Sequence, residues 1–475
     1  MPEGAATARA LARRAVASGT LGAVASGSPT ASGIGLAALL DGGNAFDAAL
    51  AAAFAETVLM PSKCGLAGDL VALYVSADRD EPVSVVAVGG APAGLYAAAA
   101  ARGWQVPATG ALSVGVPGAP AGYAHLAARG VMGHERLVAP AVSLAHRGFP
   151  WSRLNVLLTQ ESLALLVRHQ PQGGRCFPPS GPLVEGEVVR MPGLARVLDR
   201  FARDGADLFA GELGRAVVDH VQRQGGVLDL DDLAGVEVIE ERAHSVETHR
   251  GRLWATNAPS HGVALTHVFD LAEREGPVGP TSPAEVERVL AQLARGTLGP
   301  TPVNEGTSTV AAADSGGNAV VIVHSNSFPQ YGSGLVLPEE DLVLANRAGR
   351  GFTFAPTHPN APVAGRRPTT TLHAWALQDA SRSWVLGATP GGAQQVPWNV
   401  QVIDHLTQPD LADAPARLGE AVVAPRWQQT ATGVLREGAD LPVLGARSAH
   451  TLVRLGPELV SAAADPRWDA TATAS

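Results

Sequence analysis

The feature that most constrains this chain is an abrupt change of pattern at residue 307. Upstream, residues 296–306 are rich in Gly, Pro and Asn, which is the composition of a linker. Immediately downstream, two β-rich runs at residues 307–313 and 319–326 flank the turn sequence DSGGN. Turn residues between two such runs predict a hairpin. The sequence therefore predicts an antiparallel hairpin whose first residue directly follows a linker.

The rest of the chain alternates helical and extended patterns. Residues 32–58 predict two helices separated at Gly42-Gly43, and residues 137–245 are mainly helical in pattern. A buried strand is predicted after the CGLAGD loop, and residues 112–126 predict a strand, a Gly/Pro turn and a helix start. WVLGA at residues 384–388 predicts a strand that leads into a glycine-rich turn and a helix. This order predicts an α/β fold of the α+β kind, a layered sandwich with an antiparallel sheet.

Charge, apolarity and cysteine content argue against several classes of partner. The net charge is −9 and no basic tract is visible, so nucleic acid is not expected as a partner. No uninterrupted apolar run approaches the roughly 18 residues of a membrane span, so no membrane partner is expected and a cytoplasmic location follows by default. Cys64 and Cys176 form neither a disulfide framework nor a zinc spacing, and no His/Asp/Glu spacing or phosphate loop is apparent. We therefore predict no metal and no cofactor.

Thr307 is a candidate nucleophile. A threonine hydroxyl is weak unless a base takes its proton, and the free α-amine of an N-terminal threonine can do so. Thr307 would become N-terminal if the chain cut itself between Gly306 and Thr307, where glycine offers no side chain to obstruct attack on its carbonyl. By itself, the pattern is equally that of an ordinary strand entry.

Acyl chemistry also needs donors for the oxygen that becomes negative, and backbone amides of a tight glycine turn are a common solution. Thr389-Pro390-Gly391-Gly392 supplies such a turn between a predicted strand and a predicted helix. An ordinary strand-to-helix turn has the same composition. His324 and His373 are candidates for acid–base chemistry, with a structural role as the alternative.

Ten segments, in the right order, resemble the γ-glutamyltranspeptidase superfamily over nearly the whole chain. GGNAFDAALAAAFAETV resembles the family's GGNAVDAA helix, and GTSTVAAADSGGNAVVIVHSN resembles the hairpin that bears its nucleophile. LANRAGRGFTFAPTHPNAPVAGRRP is close to the NRG…HPN…(K/R)RP run of the transpeptidase-like branch, and ATPGGAQQ resembles the (S/T)PGG turn. The other matches are GLAGDLVALYV, SVGVPGAPAGY, LAHRGFPWS, QGGVLDLDDLAG, APRW and ADPRWDATA.

The resemblance implies a four-layer αββα sandwich of the N-terminal-nucleophile hydrolase type and autocleavage between Gly306 and Thr307. Residues 1–306 would form a large subunit and residues 307–475 a small one, together one αββα domain. The product would be a heterodimer of self-cleaved subunits, with a dimer of heterodimers as a further option. The resemblance also implies these roles: Thr307 as nucleophile, Ser325 as a supporting hydroxyl, Gly391 and Gly392 as oxyanion donors, Thr370 and Thr371 as carboxylate ligands, and Asn346 and Arg347 on the loop around the substrate's α-amino group.

Two departures from the family pattern concern the pocket for the amino-acid end of a substrate. The family's large subunit carries an Arg that pairs with the substrate α-carboxylate, but VAVGGAPAG at residues 86–94 contains none. The family's paired acids, which hold the α-ammonium group, fall at Ala348-Gly349-Arg350-Gly351. Arg350 would repel an ammonium group and suit a carboxylate. We therefore predict that Arg350 binds substrate, with a solvated loop charge as the alternative.

Together these observations predict an enzyme that hydrolyses or transfers a γ-glutamyl or related acyl group. Its partner would be a specialised biosynthetic small molecule with an amide or acyl group and a carboxylate, and the acyl-enzyme would pass its acyl group to water or an amine. Two alternatives keep the same nucleophile: hydrolysis of a C–C bond in an antibiotic-pathway intermediate, and a cephalosporin-acylase-like amidase. The alternative of another class is an uncleaved, non-catalytic scaffold.

Overall fold

The structure is a computed structural model that describes residues 10–234, 236–248, 251–275, 282–296, 306–378, 382–407, 415–430 and 433–475. Within these ranges, no helix has both the length and the apolar character that crossing a bilayer requires. The first half contains β1 Val16–Gly19, β2 Gly22–Ser26, α1 Pro29–Leu40, α2 Ala45–Leu59, β3 Asp69–Val75, β4 Val83–Ala87, α3 Leu95–Ala101, α4 Ala119–Ala127, α5 His134–Arg147, β5 Phe149–Pro150, α6 Arg153–His169, β6 Val188–Val189, α7 Pro192–Asp204, α8 Glu212–Arg223, α9 Leu230–Leu233, β7 Ile239–Arg242, β8 His244–Thr248, β9 Gly251–Ala255, α10 Gly262–Glu275 and α11 Pro283–Gly296.

The second half is richer in strands. It contains β10 Thr307–Asp314, β11 Ala319–Ser325, β12 Val336–Leu337, β13 Leu342–Val343, α12 Arg347–Arg350, β14 Trp375–Gln378, β15 Trp384–Ala388, α13 Gln395–Leu406, α14 Ala416–Val423, β16 Trp427–Thr430, β17 Gly433–Arg436, β18 Thr451–Leu455, β19 Val460–Ala464 and β20 Thr471–Ala474. The predicted hairpin is confirmed as β10 and β11. Of the linker predicted before it, residues 297–305 lie outside the described residues.

Two seven-stranded antiparallel sheets form the centre of the molecule. One has the strand order β1-β19-β18-β15-β14-β9-β8, and the other has the order β20-β2-β10-β11-β3-β4-β7. Buried side chains of both sheets, such as Val321 and Leu386, form one apolar core between them. A second core joins the β10–β11 sheet to α2 and α7, and a third joins the other sheet to α10, α13 and α14. The predicted four-layer αββα sandwich is therefore confirmed.

Alternate residues of β10 belong to different apolar cores. Val310 and Ala312 belong to the core beneath the helices, whereas Ala311 and Ala313 belong to the core between the sheets. Because successive side chains of a strand point to opposite faces, Thr307 shares the inter-sheet face with Ala311. The hydroxyl of Thr307 is thus placed at the end of the cleft between the two sheets.

Helix α2 supports the hairpin from below. All fifteen of its residues are buried, many of them alanine, so the helix packs closely against β10 and β11. As predicted, α1 and α2 are separated at Gly42, which has a φ of +87°. Asn44 caps α2, since its side-chain oxygen accepts hydrogen bonds from the amides of Phe46 and Asp47. The buried Asp47 carboxylate completes the start of the helix, since it accepts from the amides of Asn44, Val131 and Met132 at 2.9, 2.9 and 3.0 Å.

The prediction of a strand at the start of residues 112–126 is wrong, because no strand forms there. A short 3-10 helix, Ala111–Ser113, occupies its first part, and the Ser113 hydroxyl donates to the carbonyl oxygen of Gly110 at 2.6 Å. Gly110 has a φ of +87°, a conformation that favours glycine and turns the chain. The apolar residues that suggested a strand are buried by this turn instead of by a sheet.

We expect Asp47→Ala to lower the free energy of unfolding by at least about 3 kcal/mol, since hydrogen bonds to a charged group contribute about 1.5–3 kcal/mol each. The measurement is urea denaturation followed by circular dichroism. The control is Asp41→Ala, because Asp41 is exposed at the end of α1, and this variant should stay within about 0.5 kcal/mol of wild type. Equal effects of the two substitutions would contradict the role given to Asp47.

Candidate active site

The hairpin register brings two hydroxyls together at the edge of the inter-sheet cleft. Thr307 and Ser325 are directly paired across β10 and β11, so their side chains lie on the same face. Their hydroxyl oxygens are 3.1 Å apart and both residues are buried. The resemblance assigned these two residues to one site, and the strand pairing gives that assignment its geometry.

The Ser325 hydroxyl also contacts the bond that precedes Thr307. In the uncut chain it donates to the carbonyl oxygen of Gly306 and accepts from the amide of Ser327 at 2.8 Å. A serine hydroxyl has one proton and two lone pairs. Because Gly306 takes the proton, the hydrogen bond between Thr307 and Ser325 has the Thr307 hydroxyl as donor. One serine therefore polarises the carbonyl that would be attacked and accepts a hydrogen bond from the hydroxyl that would attack it.

Gly306 is required at its position by space. A methyl group on its Cα would lie 1.7 Å from the carbonyl oxygen of Ser327. No other L-residue fits without moving the backbone that positions Ser325. This close approach is the structural reason for glycine before Thr307.

The glycine turn after β15 presents unused backbone donors. Gly391 has a φ of +138° and Gly392 a φ of +54°, and a methyl group on Gly391 would lie 2.4 Å from the ring of Trp398. Within the described parts of the chain, neither amide donates a hydrogen bond. Two adjacent backbone amides without an acceptor are the kind of donors that an oxyanion hole requires.

Contacts between the sheets set where this turn lies. Ala388, the last residue of β15, pairs with Thr451 in β18, and the Thr451 hydroxyl donates to that of Thr309 at 3.0 Å. Thr389 is held in turn by the amide of Ala449, which donates to its hydroxyl at 3.1 Å. The turn that follows Ala388 is therefore at the same end of the sandwich as Thr307.

Arg347 is buried and already has a counter-ion. Its Nε donates to Oδ2 of Asp69 at 2.5 Å, whereas its Nη2 has no partner among the described residues. Burial raises the pKa of Asp69, although the charge and the hydrogen bond of Arg347 act in the opposite direction. The structure thus makes Arg347 the partner of Asp69, the residue that begins β3.

Arg350 lies one turn further and is half-buried. Its guanidinium stacks 5.0 Å above the ring of Phe328, and its Nε has no hydrogen-bond partner in the described structure. Burial, and then the nearby positive charge of Arg347, lower the pKa of Arg350. Of these two neighbouring guanidinium groups, only that of Arg347 is paired with a carboxylate in the described structure, so the site has spare capacity for an anion.

Asn346, Thr370 and Thr371 lie near the guanidinium groups of Arg347 and Arg350 and differ in burial and in their hydrogen bonds. The amide of buried Asn346 donates to the carbonyl oxygens of Ala108 and Phe328, both at 2.6 Å, so this side chain holds the loop in place. Thr370 is buried and its hydroxyl accepts from the amide of Leu372 at 3.2 Å. Thr371 is half-buried and accepts from Nε2 of Gln395, the residue that begins α13 after the glycine turn, at 3.3 Å.

The sequence did not reveal His261, which lies beside this group. Its backbone amide donates to the carbonyl oxygen of Thr370 at 2.9 Å. Burial, and then the charges of His373 and Arg347, lower the pKa of His261 to about 3. A lone histidine in a loop carries no pattern that could have predicted this.

His373 is a neutral structural residue. Its Nδ1 donates to the carbonyl oxygen of Thr371 at 2.8 Å, so its Nε2 accepts from the amide of Asn399, also at 2.8 Å. Burial lowers the pKa of His373 to about 4. His324 is also fully buried, on the opposite face of β11 from Ser325, and there it lies close to Cys64. Burial raises the pKa of the Cys64 thiol, which disfavours a nucleophilic role.

The chain matches a family model, curated relatives and solved structures over most of its length. The model of the family described as gamma-glutamyltranspeptidase matches residues 31–293 and, in a second overlapping match, 271–443. Acylase ACY 1 proenzyme of Pseudomonas sp. (strain SE83) is 28% identical over 92% of this chain and 88% of its own length. Oxamate amidohydrolase proenzyme of Klebsiella pneumoniae is 27% identical over 82% of each chain. The crystal structure of cephalosporin acylase from Bacillus halodurans is 25% identical, with a TM-score of 0.81 over 98% of this chain and 97% of that one.

We expect the purified wild-type chain to run on a denaturing gel as two fragments, residues 1–306 and 307–475, and Thr307→Ala to run as one. Ser325→Ala should slow fragment formation by about 5–150-fold, because the Gly306 carbonyl loses a hydrogen bond of about 1–3 kcal/mol. Intact-mass spectrometry of samples taken over time measures both effects. Thr309→Ala is the matched control, since it removes a buried threonine hydroxyl two residues away and should still be cut. A Thr307→Ala chain that is cut at residue 306 would refute the assignment of the nucleophile.

We expect stability to fall as the pH drops from about 6.5 to about 4. Unfolded histidines have a pKa near 6.5, whereas burial holds those of His261 and His373 at about 3 and about 4. Between these pH values the unfolded chain binds more protons than the folded chain. The free energy of unfolding therefore rises with pH and reaches its full value above about pH 6.5. The measurement is the melting temperature at several pH values. His373→Gln should flatten the profile, and exposed His146→Gln should leave it unchanged; identical profiles for all three proteins would exclude this cause.

Proposed function

Because this chain belongs to the γ-glutamyltranspeptidase family, we propose that it is a self-processing enzyme that uses Thr307 to cleave amides of a carboxylate-bearing acyl group. Members of this family act on amide-containing substrates as proenzymes that are cleaved into subunits. The observation that carries the proposal for this chain is the Ser325 hydroxyl, which joins the Thr307 hydroxyl to the Gly306 carbonyl.

Processing follows from these contacts in two steps. The Thr307 oxygen adds to the carbonyl carbon of Gly306, its proton passes to the departing Thr307 nitrogen, and the C–N bond breaks to leave an ester. Water then cleaves the ester, which gives a carboxylate at Gly306 and a free amine and hydroxyl at Thr307. The products are the subunits 1–306 and 307–475.

The new amine makes Thr307 a nucleophile for substrate. It takes the proton of the Thr307 hydroxyl, whose oxygen then attacks the substrate amide carbonyl. The free amides of Gly391 and Gly392 stabilise the negative oxygen that forms. The amine product leaves with the proton, and the acyl group passes from Thr307 to water or to another amine.

The groups around the acyl chain favour a carboxylate without a neighbouring ammonium group. The unpaired Nε of Arg350 and the hydroxyl of Thr371 are available donors, and Asp69 is already engaged by Arg347. Residues 348–351 contain no acid that would hold an ammonium group. The relatives named acylase and oxamate amidohydrolase support this proposal, because oxamate is itself an amide that carries a carboxylate.

We expect glutaryl-p-nitroanilide to have a kcat/KM at least about tenfold higher than γ-glutamyl-p-nitroanilide. The two substrates share the scissile amide and the terminal carboxylate and differ in the α-ammonium group, which Arg350 would repel. Release of nitroaniline measures both rates. Faster turnover of the γ-glutamyl substrate would show that the ammonium group is recognised after all.

The control for this experiment separates the carboxylate from the rest of the substrate. Arg350→Gln should raise KM for the glutaryl substrate by about 10–100-fold, since a charge-assisted hydrogen bond contributes about 1.5–3 kcal/mol. The same variant should leave the uncharged pentanoyl-p-nitroanilide within about twofold of wild type. Arg200→Gln, which changes an Arg half-buried on α7, should affect neither substrate.

A further inference from the structure

Three side chains, two of them only eight residues apart, converge on the helix-facing side of the nucleophile hairpin. Glu56 is in the last turn of α2, Cys64 is in the glycine-rich loop, and His324 is in β11. One ligand atom from each lies within 4.8 Å of the other two, and all three residues are fully buried. We propose that Glu56, Cys64 and His324 bind one zinc ion, at a site separate from the cleft that contains the Thr307 hydroxyl.

The atoms of these side chains that would not contact the ion are already held. Oε1 of Glu56 accepts from the amide of Gly27 at 2.7 Å, and Nδ1 of His324 is 2.7 Å from the hydroxyl oxygen of Tyr123. Zinc sites in proteins have the same arrangement, in which hydrogen bonds to the outer atoms orient the ligands. Oε2 of Glu56 and Nε2 of His324 face each other, and the Cys64 sulfur, which lies 3.9 Å from the carbonyl oxygen of Met60, would supply the third ligand.

Charge and ligand type favour zinc among the common ions. One thiolate and one carboxylate together neutralise a divalent cation, so the occupied site carries no net charge in a fully buried environment. The set of one sulfur, one nitrogen and one oxygen suits Zn²⁺, whereas Mg²⁺ and Ca²⁺ prefer oxygen alone. Ser308 is paired directly with His324 across the strands, so its hydroxyl, or a water molecule, can complete a tetrahedron.

Binding requires a small movement and a balanced transfer of protons. Nε2 of His324 and Oε2 of Glu56 are 2.7 Å apart, and two ligands at about 2 Å from a tetrahedral ion are about 3.3 Å apart. The ion replaces this hydrogen bond with two metal bonds after the Glu56 side chain shifts by about half an ångström. The Nε2 proton moves to Nδ1, where the Tyr123 hydroxyl becomes the acceptor, and the thiol of Cys64 releases one proton.

The test uses the untagged full-length protein after removal of metal with a chelator. Zn²⁺ titration should give one equivalent of tight binding and a raised melting temperature, because an ion that binds the folded state stabilises it. Co²⁺, used as a coloured substitute, should give a thiolate-to-cobalt charge-transfer absorption band. Cys64→Ser should abolish the band and weaken Zn²⁺ binding by at least about 100-fold, and Tyr123→Phe should weaken binding by about 10–100-fold.

Cys176→Ser is the matched control, because Cys176 is the other cysteine of the chain and is also buried. This variant should keep the band and the affinity. Glu56→Gln tests the site independently of the thiol and preserves side-chain volume, so it covers the case in which Cys64→Ser does not fold. No cobalt band in wild type, or unchanged Zn²⁺ affinity in Glu56→Gln, would mean that these residues form only a buried hydrogen-bond network and would overturn the proposal.

Discussion

The site depends on one hydroxyl group, that of Ser325. Its single proton is used by the Gly306 carbonyl, and its lone pairs are used by the Ser327 amide and the Thr307 hydroxyl. Three features of the hairpin keep this oxygen where it is. The strand register fixes Ser325 opposite Thr307, the absence of a side chain at Gly306 allows the close approach, and the buried helix α2 supports the hairpin from the other face.

Much of this architecture could be predicted from the sequence because it depends on local patterns. The β-rich runs around DSGGN, the break at Gly42-Gly43 with the Asn44 cap, and the glycine turn at residues 389–392 are each encoded in a few adjacent residues. Ordered motifs then identified the family and its four layers. The prediction at residues 112–116 was wrong because apolar residues that fill a core look the same in a strand and in an irregular segment.

The rest of the site could not be predicted, because it depends on convergence of distant residues. Asp69 and Arg347 are 278 positions apart in the chain, and nothing local to either one indicates the ion pair. Glu56, Cys64 and His324 show no metal-binding spacing for the same reason, which is why the sequence alone predicted no metal. His261 lies near Arg347 and His373 only through the fold. The roles of all nine site residues in catalysis and substrate binding stay predictions: Thr307, Ser325, Gly391, Gly392, Asn346, Arg347, Arg350, Thr370 and Thr371.

The strand order has a consequence for a chain that is cut before Thr307, as we propose. In one sheet β2 lies between β20 and β10, and in the other β14 lies beside β9, so strands from before and after residue 306 are neighbours in both sheets. Each of the two polypeptides would contribute strands to both sheets, so neither could dissociate without breaking main-chain hydrogen bonds in both sheets. A chain cut at this bond would therefore behave mechanically as a single body, and fragments from different molecules could not be exchanged unless both unfold.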